Sequence, residues 1–381
     1  MLANPMYNLD MPARNPPRPN RNPAPASPAN DNPARQARKG HGKVTMRDVA
    51  VAAGVTAITV SRYLSDPDVV AADTAARIRA AIASTGYVPN RQAGLLASGV
   101  SNMVAALLPN LANSIFAETA QGLSTGLQAA GRELMIASTN YSLEREEELL
   151  RALLGWRPAA VVVTGRRHSS AAQALLSEAQ SAGMPVIEIW DHHAAAGGGP
   201  GFTQIGFDHD DVGRAMAQHL LAAGHQRLAY VDSGVAADYR AHERGIAFAE
   251  FARAAGAQVV VIVAPAGDLF DAGRQVLAAL VKRGPKRVTA AAFANDNLAC
   301  GALLEANRQQ IKVPAQLAIL GFGDFAIARQ LEPGLSTVHL PRLEIGLEAA
   351  RSLLEALGGG KPAASLLLPW ALVARASTAP R

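Results

Sequence analysis

The sequence predicts a small all-α helix-turn-helix headpiece followed by an α/β core of two doubly wound, parallel-sheet lobes. Three observations carry this. Short helical patterns with capping residues and a turn glycine fill about residues 43–89. Beyond Val100, short apolar runs alternate with helical stretches to the end of the chain. Charge is also lopsided: residues 1–101 hold 12 Lys/Arg against 6 Asp/Glu, whereas the remainder holds 24 against 25. A basic excess confined to the front favours a polyanionic partner there, since clustered cations release counterions from a phosphate backbone.

Residues 1–42 contain nine of the 23 prolines and few large apolar side chains, so they cannot offset the entropy of ordering and are expected to be disordered. Arg14, Arg18, Arg21, Arg35, Arg38 and Lys39 give this extension either a weak, salt-sensitive attraction to nucleic acid or no role. From residue 43 to 89, Thr45 caps MRDVAVAA, Gly54 permits a left-handed turn and Thr56 caps AITVSRYL. Val49, Ala50, Ala53, Val55, Val60 and Leu64 then face one small core. A third helix over about 72–84 adds Ile78 and Ile82, which completes a helix-turn-helix. The stretch NRQAGLLA within residues 90–101 is too short for an isolated helix and is expected to fold only when something stabilises it.

In the core, MVAALL, ELMIA, AAVVV, PVIEI, RLAYV, QVVVIV, TAAAFA and LAILGF read as strands buried on both faces, the mark of parallel sheets between helix layers. Residues 102–381 exceed one comfortable open sheet. Two lobes are expected, one of about 102–204 plus 340–362 and the other of about 205–339 plus 363–381, with a ligand cleft at the strand C-terminal ends.

Several classes are disfavoured. No apolar run is long enough for a membrane helix, and MLANPMYNLDMPARNPPRPN lacks the apolar core of a secretory signal, so a cytoplasmic protein is expected. The single cysteine, Cys300, can close no intrachain disulfide. Gly321 to Ala326 spell GxGxxA, but late in the second lobe and without a first-strand context. His192, His193 and His209 lack helical metal-ligand spacing, and there is no GxSxG elbow or paired-carboxylate constellation. Neither a metal, nor a cofactor, nor catalysis is expected.

The stretch VTMRDVAVAAGVTAITVSRYLSDPDVVAADTAARIRAAIASTGYVPNRQAGLLASG resembles the DNA-binding headpiece of the LacI/GalR family, including its V-S-R, its G-Y-x-P-N-R and its R-x-A-x-x-L-A. The likeness continues through VAALLPNLANSIFAETAQGL, GFDHDDVGRAMAQHLLAAGHQRLAYV, FANDNLACGALLEA and VPAQLAILGFGDF, so it covers roughly residues 43–375. It implies a periplasmic-binding-protein-like core and a transcriptional regulator that binds double-stranded operator DNA under control of a small effector. Within the family, LLPNLANSIFAE, YSLEREEELLRALLGW and TGRRHS followed by PVIEIWD are most similar to repressors of gluconate-utilisation genes. That implies a sugar-acid effector, gluconate or its phosphate; the alternative is another sugar or metabolite. A solute-binding protein shares such a core, and a nucleotide-binding enzyme is a further rival, but the headpiece counts against both. With no leucine heptad after the core, a homodimer is expected.

The resemblance also assigns residues. Ala57, Ile58 and Arg62 take base-reading positions, and Thr45, Thr56, Ser61 and Asn90 take phosphate contacts. Leu96 matches a minor-groove wedge, with Ala93 beside it. Ala71 stands where the family often has Ser. For the effector, Arg166 and His168 match the gluconate-type pattern and are candidates for its carboxylate. Asn113 and Phe116 follow the first strand, Glu188 ends PVIEI, and Asn295 ends TAAAFA, with Asp296 beside it as a helix cap. His242 stands where the family often has Arg, with Arg240 close by; Gly323 replaces a common Asp, leaving Asp324 next in line.

Overall fold

The computed structural model describes residues 44–88, 101–111, 114–193, 201–281, 287–360 and 364–379. The expected N-terminal extension, and Asn90, Ala93, Leu96 and Asn113, lie outside the described residues. The chain divides into two compact units, Met1–Asn90 and Arg91–Arg381.

In the first unit, α1 (Met46–Ala53) begins with a capping box: Thr45 Oγ1 accepts from Asp48 N, and the Asp48 carboxylate accepts from Thr45 N at 2.7 Å. Gly54, at φ 64°, turns the chain into α2 (Ala57–Ser65), which Thr56 caps. A short 3-10 turn, Pro67–Val69, leads to α3 (Ala72–Thr85), whose N-cap position, Ala71, supplies no side-chain bond. Val49, Ala50, Ala53, Val60, Ile78, Ala81 and Tyr87 form the core, while Val55, Leu64 and Ile82 pack at its margin.

The second unit holds two parallel sheets. The first comprises β1 (Met103–Leu108), β2 (Glu133–Ser138), β3 (Ala160–Thr164), β4 (Val186–Ile189), β5 (Thr203–Gly206) and β11 (Leu366–Leu367), in the order β11-β5-β4-β3-β1-β2. Its helices are α4 (Ser114–Gln128), α5 (Leu143–Gly155), α6 (Ser170–Ser181) and α11 (Arg342–Leu357). The second sheet comprises β6 (Arg227–Asp232), β7 (Gln258–Val263), β8 (Ala290–Phe293) and β9 (Ala318–Leu320), in the order β7-β6-β8-β9. With it go α7 (His209–Ala222), α8 (Tyr239–Ala254), α9 (Leu269–Leu280) and α10 (Asp296–Arg308). An antiparallel pair, β10 (Thr337–His339) and β12 (Ala371–Val373), is tied to the second sheet by bridges from Leu320 to Ser336 and from Gly323 to His339. Helices α4 and α11 touch backbone to backbone: a Cβ on Gly346 would collide with the Thr119 carbonyl and the Leu123 nitrogen.

Two expectations change here. Residues 363–381 do not all belong with the second lobe, because Leu366 and Leu367 pair in parallel with Ile205 and Gly206 of the first sheet. Neither QVVVIV nor ELMIA is buried on both faces: β7 and β2 are edge strands, with Val260, Val261, Val263 and Ile136 exposed. Their apolar runs resemble those of interior strands, and only position in the sheet separates the two cases.

Candidate functional site

Two surfaces stand out, one in each unit. In the headpiece, helical periodicity turns Val60 fully inward and leaves Ile58, Ser61 and Arg62 exposed, with Ala57 half-buried beside them. Thr56 Oγ1 accepts from Thr59 N at 3.2 Å, which fixes the start of α2. Among the described residues the Arg62 side chain has no hydrogen-bond or ion-pair partner, so its planar fork is uncommitted. Thr45 is likewise exposed at the start of α1. The second helix of a helix-turn-helix that presents an uncommitted Arg fits a DNA major groove.

In the core, a cavity opens where the C-terminal ends of both sheets meet. Phe116, Trp190, Phe322 and Phe325 supply apolar walls, and Tyr141, Asp238, Arg240, Arg244, Asn295 and Asn297 supply polar groups. Phe116 packs edge-on to Trp190 at 5.0 Å between ring centroids, and the Trp190 indole N–H donates to Thr119 Oγ1 at 3.1 Å. Trp190 has φ 70°, a strained value for a bulky residue and one that tends to occur at functional sites.

Arg244 is buried, with its guanidinium 3.7 Å from the centre of the Phe322 ring. It donates from Nη1 to His209 Nδ1 at 2.9 Å and from Nη2 to the Ala294 carbonyl at 3.1 Å, while its buried Nε has no partner. Burial, reinforced by Arg244 and Arg240, holds His209 well below the usual imidazole range. The ring is therefore neutral, donating from Nε2 to the Trp190 carbonyl at 2.9 Å and accepting from Arg244 at Nδ1. Among the described residues no carboxylate pairs with Arg244, an uncommon state for a buried cation.

Of the residues expected to meet an effector, Phe116, Arg240 and Asn295 line this cavity. Asn295 also caps α10, accepting from Leu298 N at 3.0 Å, so the helix cap is Asn295 and not Asp296. Asp296 instead accepts from Thr337 Oγ1 at 2.6 Å and from Phe325 N at 2.8 Å; burial raises its pKa to about 6.

The other candidates are committed elsewhere. His168 donates to Glu146 Oε1 at 2.5 Å and to Glu188 Oε1 at 3.3 Å, with its side chain wholly inaccessible. It therefore ties α5 to β4 inside the first lobe and cannot hold an effector carboxylate. Glu188 is used by His168 and by Gln204, whose Nε2 donates to it at 2.7 Å. His242 faces away, with Nδ1 bonded to the Asp238 carbonyl at 2.7 Å and Nε2 3.6 Å from Asp232. Asp324 is held by Arg375 at 2.6 Å and His339 at 3.0 Å.

Arg166 works between the lobes. Its Nη2 donates to Glu243 of α8 at 2.9 Å, its backbone N–H donates to Tyr239 Oη at 2.7 Å, and Asp191 lies 3.8 Å from Nη1. Arg167 shares Glu243 at 2.5 Å, the Tyr239 hydroxyl donates to Asp191, and Arg166, Arg167 and Arg240 all pack around the Tyr239 ring. This clasp depends on Gly165, whose φ is 91° and where a Cβ would collide with Arg240 Nη1 and Tyr239 Oη. Gly165→Ala is thus expected to weaken effector binding by about tenfold, or about 1.4 kcal/mol, with operator binding retained. Titration calorimetry together with DNA anisotropy checks this, and an unchanged affinity would show that the clasp does not bear on ligand binding.

Sequence reasoning missed Arg244, His209, Trp190 and Tyr141. One signal was available: Arg240 and Arg244 stand four apart on one helix and share a face.

Headpiece and cleft together define a helix-turn-helix DNA-binding regulator with a ligand-binding core. The chain matches the model of bacterial regulatory proteins of the lacI family over residues 45–90 and that of the periplasmic binding protein-like domain over residues 217–378. It is 36% identical over 340 residues to the HTH-type transcriptional regulator GntR of Pseudomonas aeruginosa, covering 88% of this chain and 96% of that one. A LacI-family transcriptional regulator from Silicibacter pomeroyi superposes with a TM-score of 0.80 at 34% identity, covering 88% of this chain and 99% of that one. The lac repressor dimer bound to operator and the anti-inducer ONPF gives a TM-score of 0.74 at 25% identity, over 88% and 99% of the chains. This chain belongs to the LacI family of transcriptional regulators. Its relatives are regulators and not enzymes, and among the described residues no helix is long and apolar enough to cross a membrane.

Proposed function

We propose that this chain acts in the cytoplasm as a homodimer on a pseudo-palindromic operator, and that a sugar acid such as gluconate, bound between the lobes, changes its hold on DNA. The observation that carries the effector reading is Arg244, a buried cation with no carboxylate partner among the described residues, set in a cleft with Asn295, Asn297, Tyr141 and Asp238 around it. Arg244 suits a carboxylate and the polar groups suit hydroxyls. Arg240 lies one turn away; Phe116 and Trp190 provide the floor. The relatives named GntR agree with a gluconate-type ligand.

On the DNA side, Arg62 reads a guanine, Ala57 and Ile58 meet thymine methyl groups, and Thr45, Thr56 and Ser61 hold phosphates. The exposed valines of β7 give a second copy an apolar edge to cover, in keeping with two-fold operator symmetry. Coupling is by population shift: a ligand that prefers one arrangement of the lobes weakens or strengthens DNA binding by its differential affinity, and DNA changes ligand affinity by the same factor.

The test is fluorescence anisotropy on DNA from the gene's own upstream region at fixed salt, with gluconate and with neutral sugars. Specific binding that gluconate alone alters supports the reading, and specific binding indifferent to it discards the sugar-acid effector. Arg62→Ala is expected to cost about 1–3 kcal/mol of specific binding and to leave non-specific binding nearly unchanged. An equal loss on both DNAs would make Arg62 a phosphate contact.

A further inference from the structure

Among the described residues, the charged groups that line the cleft are few. Arg240 and Arg244 are cations, Asp238 is a carboxylate and His209 is neutral, which leaves one surplus positive charge. The cations just behind the wall already have counter-charges, although Arg166 Nη1 and Arg342 Nε and Nη1 keep no hydrogen-bond partner among the described residues. Arg166 pairs with Glu243 and Asp191, Arg167 with Glu243, and Arg342 with Glu118 at 2.8 Å. His168 lies between two carboxylates, and Asp296, beside Asn295, adds further negative charge with no cation paired to it among the described residues. Arg240 is nearly enclosed; its contacts are the Tyr239 ring at 5.1 Å and the Thr164 carbonyl at 3.5 Å. Burial opposes its charge, and the carboxylates of Asp238 and Asp191 favour it. Its field is already answered by these neighbours, whereas Arg244 has none of its own.

Resting on the proposal that this cleft is the effector site, we infer that it selects a singly charged polyhydroxy acid and discriminates against the phosphate ester of the same acid. The carboxylate takes the fork of Arg244, including the unpartnered Nε. The remaining carbons carry hydroxyls to Asn297, Tyr141 and Asp238, which hydrogen-bond neutral groups. A phosphate at the other end would bring a further charge of about −1.5 to −2 into a lining that holds Asp238 and, among the described residues, no cation without a counter-charge other than Arg244. A buried charge left unpaired is costly, so the second anion is rejected by what the site lacks.

The test uses the full chain and three probes: gluconate, 6-phosphogluconate and glucose, by titration calorimetry at fixed salt. Gluconate is expected to bind at least about tenfold tighter than 6-phosphogluconate, and glucose more weakly than gluconate. Equal or tighter binding of 6-phosphogluconate overturns the inference and leaves the effector proposal standing. Failure of both acids to bind overturns that proposal as well. Asp238→Asn provides the second arm. Asparagine still caps α8, as Asp238 does through Ala241 N, so the fold is kept while one lining carboxylate is removed. The preference for gluconate over its phosphate is expected to shrink by several-fold in this variant. An unchanged ratio would show that the lining charge does not set the choice.

Discussion

Replacing His168 by alanine is expected to destabilise the protein by about 3–5 kcal/mol at neutral pH, the size seen when one partner of a buried ion pair is removed. Glu146 and Glu188 converge on this ring from α5 and β4, and without it two buried carboxylates face each other unpaired. Burial by itself disfavours the imidazolium. The hydrogen bonds and charges of Glu146 and Glu188 outweigh it and raise the pKa to about 9. Because the folded value lies above the ordinary imidazole value of 6.5, the stabilisation is complete below about pH 6.5 and is lost as pH rises through about 9. Denaturant midpoints across that window should fall for the parent and stay flatter for His168→Ala. A variant within about 1 kcal/mol of the parent at neutral pH would show that the triad does not carry this load.

Arg244→Met is expected to lower gluconate affinity by about a hundredfold or more, in the range for truncating one side of a buried, hydrogen-bonded charge pair. Methionine fills similar space beside Phe322 but offers no N–H to a carboxylate. Since Arg244 belongs to the core and the reading helix to the headpiece, specific operator binding without ligand should survive. Calorimetry for ligand and anisotropy for DNA separate the two effects. Gluconate affinity within about threefold of the parent would move the carboxylate site away from Arg244.

Much of the architecture was legible because it is written in local signals. Thr45, Gly54 and Thr56 announce caps and a turn by residue type alone, and eight apolar runs announce eight strands. Four further strands, β5, β10, β11 and β12, escaped notice because each is only two to four residues long and carries little apolar pattern. The site was harder for a different reason. His168 does follow a strand end, as expected, but the direction of its side chain depends on Glu146 and Glu188, both about 20 residues away on separate elements. Arg240 was found by its place beside a motif. Arg244 was passed over because its importance lies in the absence of a carboxylate partner, a property that spacing does not display. The parallel-sheet pattern pointed to the strand C-terminal ends, where the cavity lies, whereas the family resemblance named Arg166, which the structure uses to join the lobes.

The small core of the headpiece has one further consequence. Val49, Val60 and Ile78 hold the three helices together, whereas Ile58, Ser61 and Arg62 on the outer face of α2 take no part in that core. On the proposed reading of DNA by this face, stability and DNA preference are written mainly in separate letters of the same nine-residue helix, with Ala57, half-buried against the core, belonging to both. Duplicated copies of such a gene can exchange the outer letters and acquire new target sites with no change in the packing beneath, so the regulatory circuit can be rewired while the fold stays fixed.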